Sequence, residues 1–143
     1  MNDSPPHCPP PVIARLLCAW NARDLDAVLN CFHREYESVY PLHPERSAWG
    51  LAGPRWSWGA LLAAMPDFRA ELLRWAVSGA TVWTEWRWTG SPEAGGTFTA
   101  GGVMLFGLVE DQIAWARIYT ETVEVTGPDW DAVLADVLLR PSA

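Results

Sequence analysis

The sequence predicts an α+β domain: a cone-shaped, curved antiparallel sheet covered by three N-terminal helices, with a short C-terminal helix. Helical spacing of apolar residues fills the first part of the 143-residue chain, while strand alternation and tight turns fill the second. Helices followed by a run of antiparallel strands pack as helices on one face of a sheet. Glycines inside long strands bend them, and a bent sheet under helices encloses a hollow.

The elements follow in order. VIARLLCAWNA (12–22) places Ile13, Leu16, Leu17 and Trp20 at helical spacing. In DLDAVLNCF, Asp24 is the expected N-cap of a second short helix whose apolar stripe is Leu25, Val28, Leu29 and Phe32. EYESVYP (35–41) alternates and ends at a proline, as a short strand leaving into a loop does. PLHPERSAWGLAGPR is Pro- and Gly-rich and predicts an irregular loop; WSWGALLAAM then predicts a third helix, stopped by Pro66. FRAELLRWAVSG and TVWTEWRWTG are strands joined at Gly79-Ala80, and Asp67 is read as a turn residue. TFTAGGVMLFGLVE is a long strand with a bulge or bend expected at Gly101-Gly102. IAWARIYTETVEV is the last strand, and a helix follows Gly127-Pro128-Asp129 to about Leu139. Residues 1–11 are expected to be a flexible lead-in and residues 12–140 a single domain, without internal repeats.

Composition narrows the chemistry. Net charge is −7 and all ten basic residues are scattered arginines, which disfavours nucleic acid. No apolar run approaches the ~20 residues of a membrane helix, and MNDSPPHCPPP lacks the basic and apolar regions of a signal peptide. Cys8, Cys18 and Cys31 form no Cys-x-x-Cys pair, so reduced thiols in a cytoplasmic setting are expected, with no metal and no cofactor. Ten tryptophans stand out; indoles serve cores, interfaces and hydrophobic pockets alike.

The element order, with particular residues, resembles the nuclear transport factor 2-like superfamily and its SnoaL-like and ketosteroid isomerase-like branch. RLLCAWNARDLDAVLNCF (15–32) is similar to the opening helices of the isomerases, VYP followed by Gly50 to their strand-to-loop Asp-Pro segment, and VEDQIAWARIYTE to the last strand. The likeness spans residues 12–125. The familiar catalytic sets do not carry over. The isomerases' helix tyrosine, late-strand carboxyl and proton-moving Asp correspond to Leu16, Met104 and Tyr40. The carboxylates and arginine of limonene-type epoxide hydrolases correspond to Trp86, Trp88 and Ile118, which cannot activate water. SnoaL-like cyclases use a cavity-facing Asp and His, whereas this chain offers His33 and His43 near the mouth.

Strand alternation separates Thr84, Trp86 and Trp88 from Trp83, Glu85 and Arg87, and the resemblance turns the first set toward the cavity. The same logic sends Ala114, Ala116, Ile118 and Thr120 inward on the last strand, and Phe98, Ala100, Gly102, Met104 and Phe106 inward on the strand between. The expected ligand-binding set is therefore Trp20, Trp58, Thr84, Trp86, Trp88, Phe98, Met104, Ala116 and Ile118. Tyr40 and His43 are the candidate proton-handling residues. The outward set of Trp75, Trp83, Glu85, Arg87, Trp115, Arg117, Tyr119 and Glu121 would form an apolar, charge-flanked patch, with Glu85 paired to Arg117. The resemblance implies homodimerisation through that outer sheet face.

Together these readings point to a SnoaL-like pocket protein for a hydrophobic aromatic or polycyclic metabolite. As an enzyme it would be a cofactor-independent cyclase, isomerase or dehydratase of secondary metabolism. The alternatives are a non-catalytic carrier or sensor, and a dimeric interaction module whose cone is plugged by its own indoles.

Overall fold

A computed structural model describes residues 8–123 and 126–139; of the expected lead-in over 1–11, residues 1–7 lie outside the described residues and Pro11 already belongs to the first helix. Helix α1 (Pro11–Ala22) begins with Pro at N1, where a missing N–H costs nothing. It buries Val12, Ile13, Leu16, Ala19 and Trp20, and ends where Arg23 turns left-handed at φ 56°. Its exit is pinned to the sheet by Asn21, whose side chain donates to Ala70 O at 3.0 Å and accepts from Ala70 N at 2.8 Å. Helix α2 (Leu25–Asn30) is capped as expected, Asp24 Oδ1 accepting from Ala27 N at 3.1 Å. Phe32 is not the end of that helix. It opens strand β1 (Phe32–Val39), where its ring packs 4.6 Å from Tyr36.

The stretch expected as an irregular loop is partly ordered. It holds a short 3₁₀ turn, Pro44–Arg46, and strand β2 (Ala48–Trp49), and α3 (Ala52–Ala64) starts four residues earlier than the sequence suggests. Pro54 is tolerated there because it lies in the helix's first turn. Strands β3 (Arg69–Ser78), β4 (Thr81–Gly90), β5 (Phe98–Val109) and β6 (Gln112–Thr122) form three consecutive hairpins. The curved sheet runs β2-β1-β6-β5-β4-β3 and is antiparallel except where β1 lies parallel to β6. The β5–β6 turn places Glu110 and Asp111 at positive φ, the backbone of a tight primed turn. Asp111 is tied to α1 by Arg15 at 2.9 Å. Helix α4 (Trp130–Leu139) buries none of its residues.

The expected bulge at Gly101-Gly102 is absent. Both glycines stay in register with Arg87 and Trp86 on one side and Glu121 and Thr120 on the other. Gly102 instead adopts φ +140°, and a Cβ there would lie 2.1 Å from Tyr119 O. Close backbone approach, not an extra residue, explains this glycine. The actual register shifts fall elsewhere: between Leu72 and Arg74 on β3, at Ala114 on β6 opposite Gly107 and Leu108, and between Phe32 and Glu37 where β1 pairs with β6. The first two reverse the alternation of their strands. Ile113 therefore takes the core position foreseen for Ala114 and is fully buried.

The core lies between α1, α2 and the concave face of the sheet. Trp20, Trp86, Phe106, Ile13 and Leu16 are its largest sealed side chains, each worth roughly 1.5–3 kcal/mol or more of apolar burial.

Candidate functional site

Alternation on β4 sets the site. Thr84, Trp86 and Trp88 are 1%, 1% and 4% exposed, whereas Trp83 is 49% exposed. On the concave side the indoles of Trp86 and Trp88 stack at 5.9 Å with 13° between planes, and Trp20 meets both edge-on at 4.9 and 5.7 Å. Trp58, from α3, closes the group at 4.7 Å from Trp20 and 6.1 Å from Trp88. Such tilted and T-shaped pairs suit the ring quadrupoles and hold the four indoles rigidly.

In front of this cluster is a cavity of about 700 Å³. Its aromatic wall is Trp58, Phe68, Trp88 and Phe98, with Met104 and Ile118 beside them. Of the expected ligand-binding set, Trp58, Trp88, Phe98, Met104 and Ile118 line the cavity. Trp20, Thr84, Trp86 and Ala116 do not; they are buried behind the wall as core. Thr84 holds Trp86 there, accepting its indole proton at 2.6 Å and donating to Met104 O at 2.7 Å.

The other wall is built by β1, whose alternation brings Tyr36 and Ser38 to one side, and by Tyr40 just past the strand's end; all three line the cavity. Ser38 Oγ donates to Ala48 O at 3.4 Å, tying β1 to β2. Burial pushes the Tyr36 phenol far above its ordinary pKa, and the neighbouring Tyr40 phenol adds to the shift. Tyr40 is also raised by burial, with Arg46 pulling against it. Both phenols therefore stay protonated near neutral pH and can donate to a ligand oxygen.

Charge is confined to the mouth. Arg46 and Glu121, each about half-exposed and 3.7 Å apart, are the charged side chains among the described lining residues. His43 Nε2 is hydrogen-bonded to Glu121 Oε1, and its Nδ1 lies 3.7 Å from Glu45. His43 thus stands behind Glu121 rather than on the cavity surface. His33 is farther off, borders a separate surface depression, and accepts from Glu35 N at 3.1 Å. Asp67 acts as a cap for the next turn, accepting from Ser91 N at 2.8 Å, which lowers its pKa.

The expected outer-face set divides. Cross-strand pairing puts Trp83, Glu85 and Arg87 opposite Leu105, Val103 and Gly101, and these opposite Arg117, Tyr119 and Glu121, all on the convex side. Trp115 shares that side, its indole lying over Gly107 where a Cβ would be 1.9 Å away. Trp75 does not share it. The register shift on β3 pairs it with Thr84, on the concave side, and leaves it half-buried. Nor does Glu85 pair with Arg117: it meets Arg74, its direct neighbour on β3, at 3.3 Å, while Arg117 donates to Tyr119 Oη at 3.3 Å. Glu121 lies beyond Val39, the last β1 residue paired to β6, so its side chain is free to reach the 40–47 loop and meet His43.

Sequence reasoning overlooked Tyr36, Ser38 and Arg46. The first two were signalled by the alternation of EYESVYP, whereas Tyr40 was singled out by the resemblance alone. Arg46 depends on the path of the 40–47 loop, which no local pattern specifies.

The comparisons agree with this architecture. A family model described as a SnoaL-like domain matches residues 13–116. A putative SnoaL-like polyketide cyclase from Jannaschia sp. superposes with TM-score 0.63 at 21% identity, covering 91% of each chain. A protein of ketosteroid isomerase-like fold from Catenulispora acidiphila, in complex with trimethylamine, gives 0.66 at 15% identity, covering 93% of this chain and 96% of its own. A putative hydroxylase from Streptomyces galilaeus gives 0.66 at 13%, covering 91% and 95%. No curated protein matches the chain. No helix among the described residues is long and apolar enough to cross a membrane. With a curved sheet under three helices, a cavity between them and a matching family model over most of its length, the chain belongs to the SnoaL-like family of the nuclear transport factor 2-like superfamily.

Proposed function

We propose that the protein binds a hydrophobic aromatic or polycyclic metabolite in this cavity and acts on it without a cofactor, as an isomerase, cyclase or lyase. One observation carries the reading: a cavity of about 700 Å³ with rigid aromatic rings on one wall and protonated phenols on the other. That volume is in the range of small-molecule sites, roughly 300–1,000 Å³. Structural likeness to a putative polyketide cyclase and a putative hydroxylase is consistent with it.

In the catalytic version, the aromatic wall orients the ligand and Tyr40 donates a hydrogen bond to a carbonyl oxygen. Glu121, held by His43, accepts the proton released from the adjacent carbon, and the resulting enolate is stabilised by the phenol. The proton then returns to another carbon, so nothing is consumed. A carrier reading needs only the walls. The plugged-module reading is the least supported, because the buried indoles Trp20 and Trp86 leave the cavity in front of them open.

A cytoplasmic setting and a homodimer through the convex sheet face complete the proposal. The free cysteines favour the former, and exposed Trp83 on the same face as Trp115 favours the latter.

Quenching of tryptophan fluorescence by aromatic probes tests binding, since Trp58 and Trp88 line the site. Saturable quenching is expected; its absence with every probe sinks the pocket reading. Turnover lost in Tyr40→Phe with binding retained distinguishes enzyme from carrier.

A further inference from the structure

The two walls of the cavity differ in what they offer a ligand. Trp58, Phe68, Trp88 and Phe98 present rings, and Trp88 keeps its indole N–H buried away from the cavity. Directional polar contacts to a ligand come from the side of β1 and, near the mouth, from Thr120 and Thr122 of β6. On the β1 side, Tyr36 and Ser38 share one face of the strand and Tyr40 directly follows its last residue, Val39, all three lining the cavity. Ser38 spends its proton on Ala48 O. The phenolic hydroxyls of Tyr36 and Tyr40 have no hydrogen-bond partner among the described residues, so two donors face the cavity uncommitted.

Charge is arranged differently. Glu121 and Arg46 face each other at the mouth, and no other charged side chain lines the cavity among the described residues. A carboxylate carried to the Tyr36 end would lose its water, and the one cation lining the cavity among the described residues, Arg46, stands at the mouth already facing Glu121. A neutral oxygen would find a phenol.

We propose that Tyr36, acting with Tyr40, is the specificity-determining residue of the site. The pair reads oxygen atoms along one edge of a neutral, planar polycycle stacked against Trp58 and Trp88. The ligand class is then an aromatic polycycle with hydroxyl or carbonyl oxygens on a shared edge, and neither a bare hydrocarbon nor an aromatic acid. This rests on the pocket reading above, and Tyr36 is a residue that reading does not use. The burial of Tyr36 supports its role, because a hydroxyl largely withdrawn from bulk water gains more from a ligand acceptor than an exposed one does.

Equilibrium dialysis of the full chain at pH 6.5 with three probes tests it: 1,8-dihydroxyanthraquinone, anthracene and anthracene-1-carboxylate. The expected result is binding of the dihydroxyquinone at least ~10-fold tighter than either of the others, the scale of one or two hydrogen bonds. Tyr36→Phe, which keeps the ring, should bring the dihydroxyquinone close to anthracene while leaving anthracene's affinity unchanged. Should Tyr36→Phe fail to fold, Tyr40→Phe should narrow the same preference. Equal affinities in the unmodified protein, a preference for the carboxylate, or a preference untouched by both substitutions would overturn the inference while leaving the pocket intact. Failure of all three probes to bind would overturn the pocket reading and the inference with it.

Discussion

Thr84 Oγ1 lies 2.6 Å from Trp86 Nε1 and 2.7 Å from Met104 O, accepting from the first and donating to the second. One hydroxyl thus satisfies two groups in a part of the core that water does not reach, Thr84 and Trp86 each being 1% exposed. Thr84→Val keeps the shape and deletes the hydroxyl, leaving a buried indole N–H unpaired. Urea unfolding should show a loss of roughly 1–3 kcal/mol. Thr84→Ser keeps both bonds and should cost about 1 kcal/mol, the loss of one buried methyl. Equal losses in the two variants would mean that the hydrogen bonds contribute little.

Why the inward face of β4 was legible and parts of its neighbours were not follows from what fixes each. β4 has no register shift, so period two alone assigns Thr84, Trp86 and Trp88. Trp75 and Ala114 were misassigned because a bulge changes alternation by one residue and is set by the partner strand, which no local pattern encodes. Gly101-Gly102 looked like such a bulge, yet its cause is the close passage of β6 at Tyr119. The depth of the site was the other hidden quantity. Trp20 and Trp88 both read as inward, and only packing against α3 decides that Trp88 lines the cavity while Trp20 lies behind it.

Gly102 should tolerate no side chain. Its φ is +140°, and an added Cβ would meet Tyr119 O at 2.1 Å and Thr120 Cα at 2.9 Å, both backbone atoms that cannot step aside alone. Backbone strain and overpacking add here, so Gly102→Ala should lose about 3 kcal/mol or more. Gly96→Ala is the control. Gly96 also has positive φ, +87°, but nothing lies within 4 Å of its added Cβ, so about 1 kcal/mol is expected. Thermal unfolding of the two variants side by side checks the comparison.

The proposed dimer makes a separate prediction about the convex face. Trp83 is 49% exposed there, and Trp115 lies flat over Gly107 on the same face. A charge placed among these rings should weaken association while leaving the concave core untouched. Sedimentation of Trp83→Glu is expected to show monomer at concentrations where the unmodified chain is a dimer, with unchanged circular dichroism. A chain that sediments as a monomer before any substitution removes the dimer from the proposal. The Arg74–Glu85 pair should matter little in either case. It is largely exposed, and such pairs contribute about 0–1 kcal/mol.

Alkaline titration should expose the buried phenol of the β1 wall. Tyr36 has its pKa raised from 10.0, chiefly by burial and further by Tyr40. Below pH 10 the folded and unfolded chains both hold this proton, and stability is unaffected. Above it the unfolded chain releases the proton and the folded chain does not, so stability falls by up to about 1.4 kcal/mol per pH unit until the raised pKa is reached. Tyr40, facing Arg46, shifts in the same direction, and Cys31, facing Arg15 and Asp111, does so from its ordinary value of 9.0. Because Tyr40 and Cys31 titrate in both proteins, comparison with Tyr36→Phe isolates the one group. Between pH 10 and 11 the unmodified protein should lose about 1 kcal/mol more than Tyr36→Phe in urea unfolding. Parallel curves would mean that the Tyr36 hydroxyl is as well hydrated in the folded chain as in the unfolded one, and its burial would contribute nothing to the raised pKa.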